Sequence, residues 1–292
     1  FGVVALLVRL KLTLLKNSLK RSVWRTVGMI IAMVYALVVV IAVLAGLIGL
    51  RFTSLALTAD LTVVGYAGLT VGWLLMSMLV FGVDETIDPA KFALLPVRAS
   101  DLLPGLLVAG LISAPGVATI VVAAGLVITW ARSLPLTMAA LIAAPLGVLT
   151  CFLLSRAATA AFASFLASRR FRDLAFVGLA LFGVVMAIAG NLISVVVSTG
   201  VDQLRRSLAD LAIVAGWSPF GWAWAIPADV SRGAWAVAGL HLILAIVLVC
   251  LLWIAWRHFL ALRLVSPIEG GGTASKVRDS TAIERLYPAT PA

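Results

Sequence analysis

The sequence predicts an all-α polytopic membrane protein with six transmembrane helices, N-in and C-in, and three observations predict it. Apolar residues make up 63% of the 292 positions and charged residues only 12%, far from the balance of a soluble domain. Several uninterrupted apolar runs reach the roughly 20 residues that carry a helix across ~30 Å of hydrocarbon. They lack the alternation of a membrane strand, so helices rather than a barrel make the crossing. Lys and Arg, finally, fall mostly in segments that six spans place on one side, which the positive-inside rule makes cytoplasmic.

Three regions are expected: a basic interfacial helix over residues 1–26, a six-span domain over 27–262 and a flexible cytoplasmic tail or linker over 263–292. In the first, Val8, Leu12, Leu15 and Leu19 form an apolar stripe flanked by Arg9, Lys11, Lys16 and Lys20, the pattern of a helix lying in the inner interface. Leu7, Leu10 and Leu14 lie off that stripe, so burial against other helices is an equal alternative. The run from Phe1 to Val8 precedes the basic stretch instead of following it. That is the wrong order for a signal peptide, and a trimmed start is expected.

Spans one and two are read at residues 27–50 and 62–82. After them comes DPAKFALLPVRASDLLPG, a polar interruption holding Pro89, Pro96 and Pro104 with four charges. Asp88 suits an N-cap, Pro89 suits the first helical position, and Pro96 forces Leu95 out of helical geometry. A two-turn cytoplasmic helix over 89–95 results, showing Phe92, Leu94 and Leu95 to a partner protein or to the lipid surface. Span three follows at 102–130.

The 34 residues 134–167 are too many for one upright helix and too few for two, so one long helix is read, crossing from 136 to 154 and continuing into the cytoplasm. Arg156 then snorkels at the inner boundary. Span five is read at 175–200. Next, VDQLRRSLADLAIVAG spaces Val201, Leu204, Leu208 and Leu211 on one face, with Asp202 and Arg206 at i,i+4. This predicts an external amphipathic helix, followed by WSPFGWAWAIP, whose tryptophans suit the headgroup belt. Span six is read at 235–256.

With these spans, sixteen Lys and Arg lie on the inner face against Arg51, Arg132, Arg205, Arg206 and Arg232 outside, and Arg156 completes the 22. The net charge of +10 is accounted for by anionic lipids at the membrane surface. No nucleic acid is implied, because no soluble face interleaves basic and aromatic residues. Cys151 and Cys250 fall within spans and suggest neither a disulfide framework nor a metal cluster. His241 and His258 are 17 positions apart on the last span, about 25 Å along a helix, and are read as interfacial or packing residues. The span interiors as drawn hold no carboxylate, which argues against proton- or sodium-coupled carriers.

Three features together resemble the permeases of ATP-binding-cassette exporters of the second type, the drug, lipid and polysaccharide efflux group. They are the basic lead-in before six spans, the short helix followed by LLPVRASDLLPG, and the basic link SRRFRDL after span four. The composition and the closing ERLYPATPA are similar to the N-terminal six-span half of tandem actinobacterial permeases. The resemblance implies a multi-pass protein of the cytoplasmic (inner) membrane that exports a hydrophobic or amphipathic cargo.

It implies that the helix at 89–95 is a coupling helix seated on a separate ABC ATPase subunit, with Phe92, Leu94, Leu95, Pro96 and Arg98 at the contact. Arg169, Arg170 and Arg172 form a second contact or serve as ordinary positive-inside anchors. ATP and Mg²⁺ belong to that partner, since EGGGTASK has neither the spacing nor the context of a phosphate loop and this chain is not itself expected to be an enzyme. A second six-span unit is needed, as a C-terminal half, a second copy or a paralogue. Trp73, Met76, Phe81, Phe182, Met186 and Asn191 either line the pathway or face lipid and neighbouring helices. The alternative reading is an ion-independent secondary carrier or a lipid-handling membrane scaffold.

Overall fold

The computed structural model describes residues 23–79, 99–161 and 201–265. These form eight helices and no strand: α1 (Val23–Leu50), α2 (Leu55–Leu79), α3 (Ala99–Leu111), α4 (Ala114–Trp130), α5 (Leu134–Ala161), α6 (Val201–Trp217), α7 (Trp222–Ser231) and α8 (Trp235–Val265). Four are long and apolar enough to cross a membrane, namely α1, α2, α5 and α8, and the bent pair α3–α4 makes a fifth if it counts as one span. The lead-in before residue 23, the helix at 89–95, span five at 175–200 and the tail beyond 265 lie outside the described residues.

Two spans depart from the expected ones near the site, and the last helix runs on to Val265 rather than ending at 256. The second span begins at Leu55 rather than residue 62. Thr58 bonds back to the carbonyl of Ser54 at 3.0 Å and starts the helix early, so Asp60 lies inside it. The third span is not one helix: α3 and α4 meet at a 73° bend. Pro115 explains the break, because it has no N–H to donate and its ring would strike the carbonyl four residues back. Ser113 then caps α4, its hydroxyl accepting from the Gly116 N–H at 3.2 Å.

Helix α5 is the centre of the bundle and packs against α8, α7, α2 and α4. Its small residues Ala139, Ala140, Ala143, Ala144 and Gly147 are buried, the means by which membrane helices approach closely. At Gly147 the approach is extreme, since a Cβ there would overlap the indole of Trp224. Indole and hydroxyl groups tie the layers together. Trp224 Nε1 donates to Thr70 at 2.9 Å, Trp73 Nε1 to Thr119 at 2.9 Å and Tyr66 to the carbonyl of Val122 at 2.6 Å. Each polar group is thereby satisfied where water is scarce.

The amphipathic helix expected after residue 200 is present as α6, which packs on α2 and leaves Leu211, Ile213, Val214 and Trp217 exposed. The stretch after it corrects the sequence reading. Trp224 does not sit in a headgroup belt but is fully buried on α7, because Gly147 provides a slot for its ring. Trp217 and Trp235 remain exposed.

Candidate functional site

Helix α7 is too short, at 10 residues, to cross a bilayer, yet residues Ala223 to Asp229 are all buried against α8, α5 and α2. It ends at Gly233, whose φ of +73° is the left-handed geometry of a helix C-terminus. Ala234 donates its N–H back to the carbonyl of Asp229 at 2.9 Å, closing the turn. The chain then reverses into α8 and carries His241, about two turns along, against Asp229.

A chain of ionisable groups results. Asp229 Oδ2 and His241 Nδ1 are 2.6 Å apart, with the two residues only 6% and 2% exposed. Arg232 reaches Asp60 Oδ1 on α2 at 2.8 Å and stands 3.9 Å from Asp229 Oδ1. Trp217 packs edge-on to the imidazole, with ring centroids 4.8 Å apart. His241 Nε2 is buried without a hydrogen-bond partner. Two carboxylates therefore meet one guanidinium and one imidazole. Such a cluster is able to hold α7 in place.

This overturns two expectations. The second span carries a carboxylate near its start, because Asp60 lies within Leu55–Met78, and a second carboxylate, Asp229, is buried on α7 outside the spans. His241 is not a simple packing residue, whereas His258 is exposed. The signal for the site was the acid and arginine three residues apart in PADVSR, held between tryptophan-rich stretches. Its link to a histidine twelve residues on follows no helical or strand period.

Among the residues singled out from sequence, Trp73 is half-buried, bonded to Thr119 and packed at a tilt of 42° against Phe152, with 4.6 Å between centroids. Met76 is 59% exposed. Phe81, Phe182, Met186 and Asn191 lie outside the described residues, as do Phe92, Leu94, Leu95, Pro96, Arg98, Arg169, Arg170 and Arg172. Among the described residues no three His, Cys, Asp or Glu side chains are grouped to hold a metal ion.

Arg51, Arg132 and Arg232 share one end of the bundle. Arg132 donates to the carbonyl of Thr53 at 2.9 Å and to the hydroxyl of Thr58 at 2.8 Å, close along α2 to the Asp60 that holds Arg232. No family model, curated protein or solved structure matches this chain.

Proposed function

We propose that this chain is the permease unit of an ATP-dependent exporter in the cytoplasmic membrane, moving a hydrophobic or amphipathic cargo. A separate ATPase subunit binds ATP and Mg²⁺, and a second six-span unit completes the pathway. The observation that carries the reading is α7, a short buried helix held at one end of the bundle by ion pairs and an indole bond. A part of that kind can leave its seat without unravelling a span, as alternating access requires. The open flank of α1 supports the need for a second unit, because only 6% of its Met33–Leu50 window is buried. The sequence pattern at 88–105 supports an ATPase contact through Phe92.

A second reading draws on the Asp229–His241 pair. Buried titratable groups beside a span are the usual means of proton coupling, and a proton-coupled carrier would use them directly. Reconstitution separates the two. The exporter reading expects transport in proteoliposomes that requires ATP and the co-purifying ATPase and survives collapse of ion gradients, with Phe92→Asp abolishing the association. Transport driven by a proton gradient without ATP, and lost in His241→Gln, would replace it with the carrier.

A further inference from the structure

Helix α1 packs along α4 rather than along α2, its neighbour in sequence, and a cleft of about 450 Å³ opens between α1 and α2. Val39, Val43 and Leu47 form one wall and Leu61, Gly65 and Tyr66 the other. The polar side chains of the lining are already engaged. Thr62 bonds the carbonyl of Thr58 at 2.7 Å, Tyr66 that of Val122, and Thr119 accepts from Trp73. The cleft thus presents hydrocarbon to its occupant.

Its mouth is charged. One turn beyond Leu47 lies Arg51, and one turn before Thr62 lies Thr58, which receives Arg132. Arg51 donates to the carbonyl of Ala131 at 2.8 Å, and Arg132 has only carbonyl and hydroxyl partners, with Nε buried and unpaired. Among the described residues neither guanidinium meets a carboxylate. Two guanidinium groups that meet carbonyls and a hydroxyl but no carboxylate therefore lie near the Leu47–Leu61 end of a hydrocarbon slot.

We propose that this cleft holds one anionic phospholipid, its acyl chain between α1 and α2 and its phosphate at Arg51 and Arg132. Guanidinium groups bind phosphate by short charge-assisted hydrogen bonds. A symmetry-related helix from a second copy fits less well, since a parallel neighbour would bring its own arginine pair to the same end. The site stands apart from the exporter reading and holds whether or not an ATPase is bound.

The test uses the full chain in detergent, stripped of lipid and titrated with dioleoylphosphatidylglycerol or dioleoylphosphatidylcholine, with bound lipid counted by native mass spectrometry. One phosphatidylglycerol should be retained in preference to phosphatidylcholine. Arg51→Gln should weaken its retention about tenfold, the effect of losing one hydrogen bond to a charged group. It is the safer variant, because Arg132 also ties down the α1–α2 turn. Gly65→Leu should displace either lipid, since a Cβ at Gly65 meets nothing within 4 Å and the new side chain fills the cleft without collision. Gly239→Leu, equally open on α8, should change nothing.

Equal retention of the two lipids would overturn the headgroup assignment. Unchanged retention in Gly65→Leu would overturn the cleft itself. A dimer that Gly65→Leu dissolves would give the cleft to a second copy and likewise overturn the proposal.

Discussion

Helices α1 and α5 have the same length, 28 residues each, and either sequence is apolar enough to cross a bilayer, but they stand in opposite surroundings. In α5, 56% of the span is buried, whereas in the α1 window Met33–Leu50 the share is 6%. Hydrophobicity does not separate them. Small residues do: Ala139, Ala140, Ala143, Ala144 and Gly147 clear a path for α7 and α8 to reach the axis of α5. Bulky Ile30, Ile31, Met33, Leu37, Val38 and Ile41 stay exposed on α1. Lipid tails are as apolar as leucine, so burial inside a membrane protein follows steric fit rather than oiliness.

The crowded side should therefore be fragile and the open side tolerant. Asp229→Ala should have the largest effect, because it leaves the buried His241 without its hydrogen-bond partner at Nδ1. Leaving a buried polar group without its partner typically costs ~1–3 kcal/mol, and more for a charged group, and Asp229→Ala with His241→Leu should recover part of it. A thermal-unfolding double-mutant cycle in detergent measures this, and purely additive losses would mean that the pair is not coupled.

Next comes Gly147→Leu, which drives a side chain into the Trp224 ring and should cost ~1–3 kcal/mol or more as overpacking, read as a lowered unfolding temperature and exposed tryptophan fluorescence. Thr70→Val should do less, about 1 kcal/mol. It leaves Trp224 Nε1 without its acceptor, and polar contacts in membranes are typically worth ~0.6–2 kcal/mol. Gly46→Leu on α1 should be close to neutral, since a Cβ there meets nothing within 4 Å. A loss of stability at Gly46 matching that at Gly147 would show that the face of α1 turned away from α4 is packed after all.

The described spans were legible because a run of some twenty apolar residues admits few other conformations in a chain of this composition. The packing inside them was less so. Pro115 and Ser113 are ordinary residues in a membrane helix, and only their combination at the end of α3 turns a tolerated kink into a 73° break. Trp224 looked like a headgroup tryptophan because its neighbours Trp217 and Trp222 fit that role. What buries it is Gly147, 77 positions earlier. Asp229 and His241 come together through the reversal at Gly233, and no periodic pattern registers a contact made by a turn. The sequence did mark the charged end, where Arg51, Arg132 and Arg232 gather, but not which carbonyls and carboxylates receive them.

The break between α3 and α4 has an electrostatic consequence. A continuous helix shows its neighbours only its flank, where peptide dipoles cancel. By stopping at Leu111, α3 instead ends in carbonyls turned outward, the negative pole of about half a charge that a helix carries at its C-terminus. Ser113 meets one of these, donating to the carbonyl of Gly110 at 2.5 Å. Arg156 of α5 brings Nη2 to within 3.5 Å of the point a Cβ on Gly110 would occupy. The bend thus sets the C-terminal turn of α3 beside the one charged side chain of α5, and straightening it would remove that backbone field from the arginine.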